Sequence, residues 1–254
     1  MVGEDNLSAL QYLIQSGEFR NSHDMDRKTE SRVFDKRTLM SLYQVMKDVP
    51  VKSVDFPIAS GKESLVFRAT GPRGNLAIKI YKISTLRFNR IDEYINGDPR
   101  FAKERKTRNS IVYLWARKEM TNLSDMQAAG IRVPRPVALR GNVLVMQYIG
   151  NNASPAPLLK DSTLDPEAAL DQIRNILRTM YRNAGIVHCD FSEYNLLVHR
   201  KKIYVIDVGQ SVSIKHPMAM DFLHRDIKNI TAFLMRKDVK IREDELFHYV
   251  IGNE

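Results

Sequence analysis

The sequence predicts an α+β fold in two lobes, and three observations predict it. Three β-like runs joined by short turns crowd residues 54–82, as expected of an antiparallel sheet. One long helical pattern with clear stop signals follows them. The second half of the chain is mostly helical, with a single β-hairpin set into it. The expected organisation is an N-terminal helical extension over 1–50 and a first lobe over 51–150. That lobe carries the sheet, one main helix and a flexible loop at about 83–110. A reduced, mostly helical second lobe spans 151–254.

The elements are justified in order. Residues 1–50 are polar, with apolar spacing that predicts short helices near 7–15 and 36–48. VDFPIA and SLVFRAT are strand-like and separated by SGKE; GPRG turns the chain again before NLAIKIYK. Residues 83–110 are rich in Arg, Lys, Asp and Asn, carry NGDP in their middle and show little core-facing pattern; loops of that length are usually functional or disordered. From Ser110 to Gly130 the pattern is helical. Ile111, Trp115, Leu123 and Met126 share a face, Ser110 is an N-cap candidate and Gly130 a C-cap candidate. NVLVMQYIG reads as a buried strand and NNASPAPLL as the irregular linker between the halves. Asp165-Pro166 opens a second helix that ends at Gly185, with Asp as N-cap and Pro at the first helical position. A helix at about 217–236 and a short C-terminal one complete the chain.

Composition narrows the function classes. The chain has 254 residues, 43% of them hydrophobic, which is enough for a substantial core. Its net charge of +9 favours anionic partners such as nucleotides or RNA. No apolar run reaches the roughly 20 residues a bilayer span needs, so no membrane partner is expected. The single cysteine, Cys189, rules out an intramolecular disulfide. That, with an N-terminus unlike a signal peptide, suits a cytoplasmic location.

The chemistry begins with two misplaced charges. Lys79 is the only charged residue of LAIKIY, and Glu119 lies four residues from both Trp115 and Leu123, on the apolar helix face. Buried charges are costly alone, so each is the other's expected partner, either as a structural ion pair or as part of a site. A lysine that snorkels from an edge strand is the remaining alternative. The hairpin LLV-HRKK-IYVID supplies the rest. Asn195 precedes its first strand, Asp207 ends its second, and Asp190 lies just ahead, so all three face one end. One or two hard oxygen ligands of this kind suit Mg²⁺, which takes its other ligands from water and phosphate; as turn residues they would be structural. Asp-x₄-Asn, a later Asp-x-Gly, a strand lysine and a helix glutamate together make the set phosphoryl transfer needs.

On these residues the chain resembles a protein kinase, specifically the RIO family of atypical kinases. H-R-D reads His188-Cys189-Asp190, and D-F-G reads Asp207-Val208-Gly209. The glycine-rich loop reduces to Ser60-Gly61-Lys62-Glu63-Ser64 with Val66. The run after Gly209 is short and lacks A-P-E, so neither an activation segment nor a full peptide-binding lobe is expected. SGKESLVF, LAIKIYK, FNRIDEYINGDPRF, WARKEMTNL, HCDFSEYNLLV, IDVGQSV and HPMAMDFLHRDI are similar to motifs of the RIO family. FNRIDEYINGDPRF and the short stub before the first strand point to the subgroup without an N-terminal winged helix.

The resemblance implies a two-lobed kinase-like fold and binding of ATP with Mg²⁺, for which Mn²⁺ could substitute. It also implies Ser/Thr autophosphorylation or ATPase turnover, and a part in maturation of the small ribosomal subunit and its rRNA. Lys79 would hold phosphates and Glu119 would aim it; Asn195 and Asp207 would hold metal; Asp190 would accept the hydroxyl proton or orient the attacking group. Asp207 could also take the phosphoryl group itself. Adenine would lie between Ile58, Val66, Ala77 and Ile206, with Met146 behind it and the backbone of Gln147 and Ile149 as hinge contacts. Ser60 and Gly61 would approach the phosphates. Ser84, Thr107 and Ser110 are candidate phosphorylation sites.

Other features are read conservatively. His188 reads as a hydrogen-bonded scaffold residue, and Cys189 as unreactive. Arg174, Arg178 and Arg182 form a helix stripe that is either solvated or turned toward phosphates, as Lys103, Arg105, Lys106 and Arg108 could also be. Two other functions compete: a non-catalytic nucleotide-binding ribosome-assembly factor, and a small-molecule phosphotransferase of the aminoglycoside or choline type. The short, basic second half argues against the latter, and the complete set of charged residues against the former.

Overall fold

The computed structural model describes residues 36–83, 93–104, 108–152 and 154–252. The helix expected near 7–15, together with Ser84, Arg105, Lys106 and Thr107, lies outside them. The described residues fall into two compact units. The first comprises 36–83, 108–117 and 136–148; the second comprises 93–104, 118–135 and the chain from Ile149 onward.

The first unit is built on a five-stranded antiparallel sheet, β1 (Ser53–Ser60), β2 (Ser64–Gly71), β3 (Gly74–Tyr81), β4 (Pro136–Arg140) and β5 (Val143–Gln147), in the order β1-β2-β3-β5-β4. Burial alternates along β2 as it must in a strand with one face inside. The β2–β3 turn uses Gly74 at φ +118°, a conformation that side chains resist. The sequence reading did not anticipate β4. Its Pro136 starts an edge strand, where the missing N–H has no ladder partner to disappoint. Helix α1 (Lys36–Asp48) covers one face of the sheet, placing Leu42, Val45 and Val49 against Leu65, Phe67, Ile78, Ile80, Val143 and Val145. Buried Asn142 fastens the two, donating to Thr38 Oγ1 at 2.9 Å and to the Tyr81 carbonyl at 2.8 Å. The segment read as an extension thus contributes its one described helix to this core.

Helix α2 (Arg108–Ala128) passes from the first unit into the second. It starts before Ser110, which therefore lies inside its first turn and is not the N-cap. Gly130, at φ +86°, ends it as expected, with Ile131 N–H reaching the Met126 carbonyl at 3.0 Å. The second unit then adds α3 (Pro166–Arg182), β6 (Ile186–Val187), β7 (Leu196–His199), β8 (Lys202–Val205), β9 (Val212–Ser213), α4 (Ala219–Met235) and α5 (Glu243–Ile251). Asp165 caps α3 by accepting from Ala168 N–H at 2.9 Å. The arginine stripe on α3 docks α5: the Arg174 and Arg178 guanidinium groups stand 4.4 and 4.6 Å from the centre of the Tyr249 ring.

Residues 93–104 depart from the expectation of a flexible loop over about 83–110. Tyr94, Ile95, Asp98 and Phe101 are buried within the second unit. The Asp98 carboxylate accepts from Arg100 at 2.8 Å and from Ser213 N–H at 3.2 Å. His216 donates from Nε2 to the Asn96 carbonyl at 2.7 Å, its Nδ1 being occupied as acceptor for Met218 N–H. Polar groups hold this segment, and an apolar periodicity does not register such a core.

Candidate active site

The site in the second unit grows from the β7–β8 hairpin. Arg200 and Lys201 turn it with φ of +50° and +60°, the left-handed pair that matches the strand twist. At the open end Ile206 N–H donates to the Asn195 carbonyl at 3.0 Å, so Asn195 and Asp207 flank the same end. The Asn195 amide nitrogen donates to the Asp190 carbonyl at 2.8 Å and to Asp190 Oδ2 at 3.0 Å. That fixes the amide's orientation, with its nitrogen committed to Asp190. Three of the residues expected to carry the chemistry are thereby gathered. Asp207 itself is left-handed (φ 56°, ψ 52°) and opens a 3₁₀ turn over Val208–Gln210.

A buried scaffold aims Asp190. His188 Nδ1 accepts from Asp190 N–H at 3.3 Å, so Nε2 carries the proton and donates to the Ile206 carbonyl at 3.2 Å. Burial pushes its pKa down to about 4, keeping the ring neutral, as a scaffold requires. Fully buried Asp226, on α4, accepts from the N–H groups of Cys189 and Phe191 at 2.8 Å each, clamping the chain on both sides of Asp190. Burial raises the Asp226 carboxyl to about 7, against the pull of those two N–H groups and Arg225. Arg225 also donates to the Cys189 carbonyl at 2.6 Å. Burial likewise lifts Asp190 above the usual carboxylate range; donation from Asn195 opposes this and the charge of Asp207 adds to it. A carboxylate so raised is a better proton acceptor than a solvated one. Burial pushes the Cys189 thiol well up, so it is inert.

Against the turn that follows Asp207, α2 sets buried Lys118 and Asn122, and Glu119 of the same helix is buried as well. Sequence reasoning found only Glu119. It also missed Asp226, though Phe222, Asp226 and Ile230 are four apart on an apolar face, the signal that had exposed Glu119.

Within the first unit, register places Val66 opposite Lys79, Lys79 opposite Leu144 and Ala77 opposite Met146. Val66, Ala77, Lys79 and Met146 therefore share the sheet face turned away from the α1 core. Lys79 is buried, its Nζ 5.3 Å from the centre of the Tyr81 ring. Ile58 sits at a register irregularity between Pro57 and Ala59, Ser60 ends β1 exposed, and Gln147 ends β5 exposed. Gly61 donates to the Ser64 carbonyl at 2.9 Å, and its own carbonyl accepts from buried Lys82 at 2.7 Å. In the second unit, Ile149 is buried and Ile206 half-buried.

Among the described residues no cluster of three or more His, Cys, Asp or Glu side chains could hold a metal. Asn195 and Asp207, at the same end of the hairpin, carry hard oxygens. That set fits a cation such as Mg²⁺, which completes its shell from water and phosphate, and not one needing a protein cage.

The RIO domain family model matches residues 65–246. Over 229 residues the chain is 39% identical to the RIO-type serine/threonine-protein kinase Rio1 of Haloferax volcanii, covering 89% of this chain and 79% of that protein. Over 186 residues it is 46% identical to Rio1 of Thermoplasma acidophilum, covering 73% and 98%. Human RIO1 is 40% identical over 239 residues, 91% of this chain but 42% of that protein. Among solved structures, the Rio2 kinase of Chaetomium thermophilum superimposes with a TM-score of 0.66 at 20% identity, covering 96% of this chain and 76% of that one. The ADP/Mg²⁺-phosphoaspartate complex of that kinase gives 0.63 at 23%, covering 84% and 66%. At these identities the structures establish the fold, which is kinase-like. With the RIO match spanning most of its length and these Rio1 relatives covered over most of theirs, the chain belongs to the RIO family of serine/threonine-protein kinases, of the Rio1 type.

Proposed function

We propose that this kinase uses ATP with Mg²⁺, phosphorylates itself on Ser or Thr and hydrolyses ATP. We further propose that it serves maturation of the small ribosomal subunit in the cytoplasm. The observation that carries the reading is the hydrogen-bonded unit of Asp190 and Asn195, joined through Ile206 N–H to the chain that leads from β8 into Asp207. In this reading Ile58, Val66, Ala77 and Ile206 flank adenine, with Met146 behind, and the Gln147 and Ile149 backbone binds its edge. Ser60, Gly61 and Lys79 meet the phosphates, and Glu119 orients Lys79. Asn195 and Asp207 hold the metal, which when bound neutralises phosphate charge. Asp190 takes the proton from the attacking hydroxyl, a role its raised pKa favours. If Asp207 attacks instead, its carboxylate oxygen bonds to the γ-phosphorus as the bond to ADP breaks, and water later releases phosphate. The +9 charge supports an rRNA partner.

The test uses purified protein, Mg²⁺ and γ-labelled ATP, alone and with precursor small subunits, beside Asp190→Ala and Asp207→Ala. Phosphate release, or hydroxylamine-labile label that needs both aspartates, would indicate an ATPase passing through an aspartyl-phosphate. Acid-stable label alone would indicate a Ser/Thr kinase. Bound ATP with neither label nor release would refute catalysis and leave a binding factor.

A further inference from the structure

The turn that follows Asp207 exposes three carbonyls to α2, and the donors that meet them are built for them. Asn122 Nδ2 donates to the Val208 carbonyl at 2.7 Å and to the Ser211 carbonyl at 3.0 Å. Lys118 Nζ donates to the Gly209 carbonyl at 3.2 Å and to the Ser211 carbonyl. Lys118 and Asn122 are one helical turn apart and both are wholly buried. Burial lowers the Lys118 amine to about 7; the carboxylate of Asp98, itself wholly buried and held by Arg100, opposes that fall and the Arg100 charge adds to it. The Arg100 guanidinium reaches the same Ser211 carbonyl at 3.5 Å. So the left-handed Asp207 is followed at once by a turn whose three outward carbonyls are all tied to one rigid helix.

We infer that Lys118 and Asn122 are positioning residues for Asp207: by pinning the Val208–Ser211 carbonyls to α2 they hold the Asp207 carboxylate at the aim a nucleotide-bound divalent cation requires. This rests on the proposed function only in taking Asp207 as a metal ligand. A packing role for the same two residues would lower stability without singling out the metal. The aiming role instead predicts that nucleotide affinity in the absence of metal is spared.

The experiment uses the full chain, with calorimetric titration of ADP in EDTA and in Mg²⁺, for wild type, Lys118→Met, Asn122→Asp and Lys118→Arg. Asn122→Asp keeps the shape and turns a carboxylate toward the carbonyls. The expected result is that the Mg²⁺-dependent gain in ADP affinity shrinks about tenfold or more in the Met and Asp variants, since a charged or doubly used buried donor is lost. ADP affinity in EDTA should stay within about twofold, and Arg at 118 should restore part of the gain. Equal gains in all four proteins, or equal losses with and without Mg²⁺, would overturn the inference. Failure of both variants to fold would overturn it too, by making the pair part of the core. Wild-type protein with no Mg²⁺-dependent gain would sink the metal role of Asp207 first, and the positioning role with it.

Discussion

Replacing His188 with Leu removes the two hydrogen bonds that tie Asp190 N–H to the Ile206 carbonyl through one ring, while keeping a side chain of similar bulk. The ring is buried and its two partners are half-buried, and the bonds are of moderate length, 3.3 and 3.2 Å. Unsatisfied buried groups cost about 1–3 kcal/mol each, and about 1–1.5 each, at the low end for half-buried partners, gives about 2–3 kcal/mol for the pair at pH 7. In a chain of this size that lowers Tm by about 4–12 °C. The pH dependence is the sharper signature. The imidazole titrates near 6.5 when unfolded and at about 4 in the folded protein. Its folded pKa is depressed, so between these values the unfolded chain binds more protons, and wild-type stability falls as pH falls from about 6.5 toward 4. The whole window is worth about 3.4 kcal/mol, of which about 2 is lost by pH 5. The Leu variant lacks this loss, whereas every other titrating group is common to both proteins. Urea denaturation at constant ionic strength should therefore show a gap of about 2–3 kcal/mol at pH 7 that closes to under about 1 at pH 5, with unchanged m values. A gap of the same size at both pH values would refute the neutral-scaffold reading of His188.

Two further substitutions test the packing that presents the site. Asn142→Ala removes the bridge from Thr38 of α1 to the Tyr81 carbonyl of the sheet; it should cost about 2–3 kcal/mol and speed amide exchange across residues 36–48, and unaltered exchange there would contradict the pinning role. Tyr249→Ala removes the ring between Arg174 and Arg178 and should cost about 1–2 kcal/mol, with lost amide protection confined to α5; undiminished protection would return the arginine stripe to a merely solvated face.

Much of the site was legible because its residues violate the local pattern. A lysine inside LAIKIY and a glutamate on an apolar helix face stand out by periodicity alone, and Asp190, Asn195 and Asp207 by their spacing around a hairpin. Lys118 and Asn122 did not stand out. They lie on a helix buried on nearly every side, so no polar face existed against which a buried polar residue would look wrong. Residues 93–104 escaped for the opposite reason: Asp98, Arg100 and the Asn96 carbonyl find their partners more than a hundred residues away, in Ser213, Ser211 and His216. Hydrogen bonds across that distance leave no local trace.

By itself, then, the sequence determined the two-lobed α+β class, most of the strands and helices with several of their caps, and the residues proposed for phosphoryl transfer. These follow from short-range rules of period, turn and cap, which need only neighbours along the chain. Tertiary structure alone decided that Asp226 clamps both sides of Asp190, that His188 is a neutral bridge, and that α2 holds the turn after Asp207. Those roles arise from burial and from donors meeting acceptors distant in sequence, and a polar residue's role is set by which partner the fold brings to it once water is gone.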